Sequence, residues 1–507
     1  MNGIDYFVMA LYALMIVMTT LWAMRKVGNT GDFFAAGGKM PWWLSGISHH
    51  MSGYSAAVFV AYAAVAYKYG LTIYFWWAFP ISIAVFIGSV IFAPRWARLR
   101  VHMNIESPME YLATRYNVPT QQILAWSGVF LKTFDVGAKW AAISIIINVF
   151  TGLDPLLGIG ISGILCLFYT VLGGLWADAC NDFGQFIVQF IAAIVMVVAV
   201  AFHLGGFSNL LTIWDRLPAG HTDIVAGPYS MGFILAYFVI YTLSYNGGTW
   251  NLAQRFIASP RGKDARKAAL LSSVLYLVWP LILFYPMWAA PLLFTNIADP
   301  AQSYSIMAMQ LLPNGLIGLV LVAMFTHTLS MTSSDSNAIT AVVTRDILPV
   351  LFPKQFGQGQ SSLLVARVVV VLFILTTLLI AVNANRFGGV LTLLIVWFGG
   401  LVGPISIPML LGLLPWFRKC GSTAAITSWA AGVSAFFLVK FVIPDMSTTQ
   451  VVAIPVLLSL AVYTIGGLLR RTPVSIEVDT LLNALNQDQA ENLPAPKVNP
   501  DYQTESR

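Results

Sequence analysis

Residues 45–53 read Ser45-Gly46-Ile47-Ser48-His49-His50-Met51-Ser52-Gly53, in the middle of an apolar window that runs from 41 to 67. Two glycines, three serines and two histidines weaken a helix at the depth where a membrane-spanning segment most needs its internal hydrogen bonds. Unwound backbone is tolerated there only where it lines a cavity or is buried in protein. The pattern recurs in the window 230–253 as Ser244-Tyr245-Asn246-Gly247-Gly248-Thr249-Trp250-Asn251. Two interrupted spans in corresponding places point to an inverted-repeat transporter with its site at the bilayer midplane. Two glycine-lined helix crossings are the plainer alternative.

Composition supports the membrane setting. Of the 507 residues, 58% are hydrophobic and 9% charged, outside the range of soluble domains. Apolar windows of about 20 residues, enough to cross a hydrocarbon core of roughly 30 Å, occur at 5–24, 41–67, 71–93, 121–149, 155–175, 182–205, 230–253, 267–295, 314–342, 364–384, 388–413, 423–441 and 449–470. The expected fold is therefore an all-α polytopic membrane protein of about thirteen helices. The first window follows Asp5 and precedes Arg25 and Lys26, so it reads as an uncleaved helix and not a secretory signal. Cys166, Cys180 and Cys420 have no metal-ligand spacing and, being odd in number, no disulfide framework.

Basic residues set the expected orientation. With the N-terminus outside, inner segments receive Arg25, Lys26, Lys39, Arg95, Arg98, Arg100, Arg115, Arg255, Arg261, Lys263, Arg266, Lys267, Arg345 and further residues through Arg471, while Lys68, Arg216, Arg386 and Lys440 stay outside. This asymmetry predicts an N-out, C-in multi-pass protein of the plasma membrane, with a bacterial inner membrane as the expected setting. The net charge of +6 is then a topology signal and not a nucleic-acid footprint. After Arg471 the chain turns polar and acidic, which predicts a disordered cytoplasmic tail over 472–507.

The segment from Leu316 to Thr344 is apolar enough to span, yet carries Thr326, Thr328, Ser330, Thr332, Ser333, Ser334, Asp335 and Asn337. At about 100° per residue, Thr326, Ser330, Ser333, Ser334 and Asn337 share one face, which suits an ion or solute path better than lipid. Interhelical hydrogen bonding is the other use of such a face. Asp182 opens a polar face with Gln185 and Gln189, and two roles stand for it: ion handling and helix capping.

Lys132, Asp135 and Lys139 share a face of the fourth span, where each charge costs about 2.5 to 3.5 kcal/mol unless paired or wet. Two readings are open. The trio is a self-neutralising ladder, or its spare ammonium receives a substrate carboxylate. His49 and His50 diverge by about 100° on a helix, and with His327 they lack the spacing of a metalloenzyme. Buried, hydrogen-bonded histidine is the default reading, with proton coupling as the alternative.

Several stretches carry a family resemblance: Gly31-Asp32-Phe33-Phe34-Ala35-Ala36-Gly37-Gly38-Lys39-Met40-Pro41-Trp42-Trp43, Ser107-Pro108-Met109-Glu110-Tyr111, Gly173-Gly174-Leu175-Trp176-Ala177 with Asn181-Asp182, and Gln254-Arg255-Phe256-Ile257-Ala258. In order and spacing they resemble the sodium:solute symporters, which include sodium/glucose, sodium/proline and sodium/sialic acid transporters. The resemblance implies the leucine-transporter fold, with five-helix repeats over 41–210 and 211–420, a leading helix and loop in 1–40 and peripheral helices in 421–471.

It also implies sodium as the coupling ion and assigns sites. One ion site would use carbonyls of Ser48, Met51 and His327 with two consecutive hydroxyls, of which Ser330 is kept and the next position is Met331. A second, seen in the sialic acid branch, would use Asp182 with Ser330, Ser333 and Ser334. That branch also carries a cation on the helix of Lys132, Asp135 and Lys139. The sugar-contacting positions of sodium/galactose transporters become Ser55, Trp77 and Tyr276 here, so a galactose-type pocket is not implied. Tyr54, Asn246, Thr249, Trp250 and Asn251 remain as polar and aromatic candidates.

The expected function is sodium-coupled symport of a small polar solute, a sugar or sugar acid first. Its partners are solute, sodium and bilayer, with no nucleic acid or obligate protein. A proton-coupled symporter and a transporter-like sensor without transport are the alternatives. An enzyme would need a nucleophile, base or metal constellation that the sequence does not present.

Overall fold

The computed structural model describes residues 1–356, 362–443, 445–470 and 473–486, and these contain helices but no β-strand. We number the principal helices α1 (Gly3–Met24), α2 (Trp42–Met51), α3 (Val58–Tyr69), α4 (Phe79–Ile91), α5 (Ala93–Met103), α6 (Tyr111–Arg115), α7 (Val118–Thr151), α8 (Pro155–His203), α9 (Met231–Leu243), α10 (Asn251–Ile257), α11 (Gly262–Leu293), α12 (Leu316–Val342), α13 (Leu363–Val382), α14 (Gly399–Leu411), α15 (Ser422–Phe437), α16 (Thr448–Leu469) and α17 (Ile476–Ala484).

Among the described residues nine helices are long and apolar enough to cross a membrane. The difference from thirteen falls at identifiable places. The windows 155–175 and 182–205 run together as α8, bent at Gly174, whose φ of 51° a side chain rarely adopts and whose Cβ would lie 2.6 Å from the Phe33 ring. The windows 41–67 and 230–253 are each broken, and 388–413 retains only a short apolar helix.

Burial separates centre from periphery. In the most apolar windows of α7 and α12, 72% and 78% of residues are buried, against 22% in α1 and 28% in α13. Tolerance of charge follows: α7 and α12 carry Lys132, Asp135, Lys139 and Asp335, whereas α13 exposes Leu364, Leu372 and Leu379 on a face suited to lipid.

Both predicted interruptions are present, and they meet. Between α2 and α3 the chain turns at Ser52–Gly53, and between α9 and α10 at Gly247 (φ 120°) and Trp250 (φ 65°), a strained conformation for a residue with a side chain. Tyr245 Oη donates to the Gly53 carbonyl at 3.0 Å, and Asn251 Nδ2 donates to the Ser52 carbonyl at 3.3 Å. Trp96 Nε1 in α5 caps the second break by donating to the Asn246 carbonyl at 2.9 Å, against Gly247 where no Cβ fits.

The tail differs from expectation. Ser475 caps α17, whose Val478, Leu481 and Leu482, with Leu485 beyond its end, are buried. Arg98 Nη1 donates to the Leu485 carbonyl at 2.8 Å and Arg95 Nη2 to Asn486 Oδ1 at 3.0 Å, joining α17 to α5. An apolar stripe at helical spacing thus outweighs the acidic composition that predicted disorder over 473–486. Residues 487–507 of that expectation lie outside the described residues.

Candidate functional site

The hydroxyl-bearing face of α12 meets α8 and not lipid. Gln189 Nε2 donates to Thr326 Oγ1 at 2.7 Å. Ser330 donates to Asp182 Oδ1 and Ser48 of α2 donates to Asp182 Oδ2. Ser333 and Ser334 bond one helical turn away on α8, to Asp178, with Ser334 Oγ at 2.8 Å from Oδ2. Ser52 joins through a 2.8 Å contact with Ser334. All of these side chains are at least 98% buried. Asp178, absent from the candidates, sits at i−4 from Asp182 and so on its face.

Asp182 lies within the continuous second limb of α8 and bonds hydroxyls, so the capping role falls away. The cage offers only oxygen, from two carboxylates and several hydroxyls, which is the donor set a hard cation such as sodium accepts.

The other predicted ion set shares Ser330, whose hydroxyl donates to Asp182, and its Ser48 and Met51 carbonyls accept turn bonds from the N–H groups of Ser52 and Tyr54. Met331 lines a different space, the cavity described next.

That cavity lies beside the two breaks. Its walls are Tyr62, Trp76, Trp77, Tyr237, Tyr241, Tyr245 and Phe398, with Ser55, Ser244 and Thr249 near the breaks. Tyr237, Tyr241 and Tyr245 recur every fourth residue and present one aromatic face, a periodicity visible in the sequence but not used. Tyr241 Oη and Trp76 Nε1 are buried without a partner among the described residues.

Of the predicted solute residues, Ser55, Trp77, Asp135, Lys139 and Thr249 line this cavity. Lys132, Thr249 and Trp250 line a smaller neighbouring one. The others make contacts around the breaks. Tyr276 Oη donates to the carbonyls of His49 and His50 and its ring stacks on Tyr54, while Asn246 Nδ2 donates to Ala84 and Thr242 carbonyls. Asn251 ties the breaks as above. His49 bridges Ser272 Oγ and the Tyr245 carbonyl, the hydrogen-bonded default.

The spare cation inferred for Lys132, Asp135 and Lys139 does not exist. Asp335 of α12 closes the trio into a ring: Lys132 Nζ lies 3.1 Å from Asp135 and 2.7 Å from Asp335, and Lys139 Nζ 2.8 Å and 2.6 Å from the same two. Two ammoniums and two carboxylates cancel, all but fully buried, as isolated charges at this depth must. Ser334 and Asp335, consecutive on α12, therefore serve the oxygen cage and the cavity wall respectively. Arg255, assigned from sequence to an inner loop, is instead fully buried against Asp178.

Paired helix breaks, an oxygen cage between α2, α8 and α12, and an aromatic-walled cavity beside the breaks define an ion-coupled secondary transporter. The comparisons agree. The model of the sodium:solute symporter family matches residues 33–432. The sodium/sialic acid symporter NanT of Aliivibrio fischeri is 23% identical over 86% of this chain and 88% of its own length. The sodium/glucose cotransporter of Vibrio parahaemolyticus is 26% identical over 87% and 86%. Human sodium/iodide cotransporter is 25% identical over 85% and 68%.

Among solved structures, the substrate-bound outward-open state of a sodium-coupled sialic acid symporter superimposes with a TM-score of 0.80 at 19% identity, over 94% of this chain and 99% of that one. Inward-facing Mhp1 follows at 0.52 and 14%, over 88% and 94%. The chain belongs to the sodium:solute symporter family. It is a multi-pass membrane transporter with the leucine-transporter-type fold, coupled to sodium, and not an enzyme.

Proposed function

We propose that the protein imports a small solute without net charge, a sugar first among such solutes, with sodium held by Asp182, Asp178 and the serines of α12. The observation that carries the solute class is the closed ring of Lys132, Asp135, Lys139 and Asp335. Asp135 and Lys139 face the cavity, but their charges are already satisfied. An anionic solute would have to compete with a buried carboxylate for its lysine, at considerable cost. Aromatic walls suit the apolar face of a sugar ring, and Tyr241 Oη and Trp76 Nε1 offer uncommitted hydrogen bonds.

In alternating access, the paired breaks let one repeat rock against the other about the site, so solute and sodium are released to the same side. The repeats are those of 41–210 and 211–420. The N-terminus outside and the C-terminus inside follow from the basic residues.

The test is uptake into proteoliposomes under imposed gradients, with neutral sugars, sugar acids and short carboxylates as competitors. Sodium-driven accumulation inhibited best by neutral sugars supports the proposal. Accumulation driven by protons alone, or inhibited best by acids, refutes it.

A further inference from the structure

The Arg255 side chain is placed in an unusual way. It comes from α10, the second half of the second broken helix, and reaches the oxygen cage with a single nitrogen. Nη2 donates to Asp178, to Ser334 and, at 3.0 Å, to Ser52, and lies 3.7 Å from Asp182 Oδ2. Nε and Nη1, equally buried, have no partner among the described residues.

Guanidinium ordinarily meets a carboxylate side-on, with two parallel bonds. Here that mode is unused while four oxygens crowd one nitrogen. The group is inserted end-on, as a point charge among the oxygens that would hold a monovalent cation. Leaving buried guanidinium donors unpaired is costly, which makes the position easier to vacate than a bidentate pair would be.

We propose that Arg255 is a tethered competitor of sodium: its guanidinium occupies the Asp178–Asp182 cage when sodium is absent and is displaced when sodium binds. The inference rests on the reading of this cage as the sodium site. Two carboxyl groups face one guanidinium, and Arg255 sets how much sodium is needed to replace it. Displacement also releases α10 from α8, so occupancy of the cage changes what holds the second broken helix.

The experiment is equilibrium binding of radiolabelled sodium to the purified full-length protein, with size-exclusion profiles as a fold control. Arg255→Gln is expected to tighten half-saturation at least about tenfold, the scale of one lost charge-assisted hydrogen bond. Arg255→Lys, still a cation, is expected to fall between it and the wild type. Should the two bare carboxylates prevent Arg255→Gln from folding, the double variant Asp178→Asn/Arg255→Gln removes the competitor with the charge balance kept, and is also expected to bind sodium more tightly than the wild type. Unchanged or weaker binding in the folded Arg255 variants overturns the proposal, because a merely structural arginine loosens the cage when removed. Asp182→Asn separates the two claims: if it leaves sodium binding intact, the cage is not the sodium site, whereas if it abolishes binding and the Arg255 variants do not tighten it, only the competitor role fails.

Discussion

Lys139 Nζ of α7 lies 2.6 Å from Asp335 Oδ2 of α12, a contact across 196 residues of sequence that brings together two of the most buried membrane-spanning helices. It changes the solute to be expected, because it removes the unpaired ammonium that would have welcomed a carboxylate.

Replacing Asp335 by Asn leaves two buried ammoniums facing one carboxylate. Breaking a buried pair by removing one partner costs about 3–5 kcal/mol, so thermal unfolding in detergent should move down markedly. The double variant Lys139→Met/Asp335→Leu should lose less than the sum of the corresponding single changes. Additive losses would mean that the two residues do not interact.

Asp182 accepts from serines on two helices, so Asp182→Asn should raise the sodium concentration for half-maximal uptake by about tenfold or more while leaving membrane-inserted, monodisperse protein. Asp178→Asn should act in the same direction. A sodium dependence untouched in both would move the coupling ion elsewhere.

Tyr241 Oη has no partner among the described residues and lines the cavity. Tyr241→Phe should weaken solute half-saturation about tenfold, in keeping with one lost hydrogen bond of ~1 kcal/mol or slightly more, without altering sodium binding measured without solute. A shift in sodium binding alone would place Tyr241 outside the solute site.

Met331 stands where the family's second hydroxyl is expected, and it faces the cavity. Met331→Ser should change the solute profile in competition assays more than the sodium half-saturation. The reverse result would mean that a hydroxyl at 331 joins Ser330 in an ion site after all.

The helix α17 is held by Leu481 and Leu485 and by Arg95 and Arg98. Leu481→Glu/Leu485→Glu should release it, seen as faster limited proteolysis between 473 and 486. An unchanged digestion pattern would show that the contacts do not hold the segment.

What could be read in advance has a physical pattern. The two breaks were legible because glycine and serine clusters stand out against an apolar background, and the polar face of α12 because helical periodicity is local. Asp335 stands out on that helix in the sequence, yet its pairing with Lys132 and Lys139 is not legible there, since nothing local reports which helices become neighbours. Asp178 and the Tyr237–Tyr241–Tyr245 face are legible at four-residue spacing, though neither belongs to a family motif. Tyr276 and Asn246 look like solute contacts in sequence because polar groups near a break suggest a ligand, but the carbonyls they bond, of His49 and His50 and of Ala84, lie on helices that only the fold brings beside them.

Ser334 and Asp335 are joined by one peptide bond, the first bonded to the cage carboxylate and the second to the lysines of the cavity wall. A helix cannot slide or rotate one of these residues without the other. Any tilt of α12 large enough to open the cage therefore also disturbs the ring, and with sodium in the cage and solute in the cavity, as proposed, slippage, in which sodium leaks through with no cargo aboard, would be opposed by the covalent chain itself.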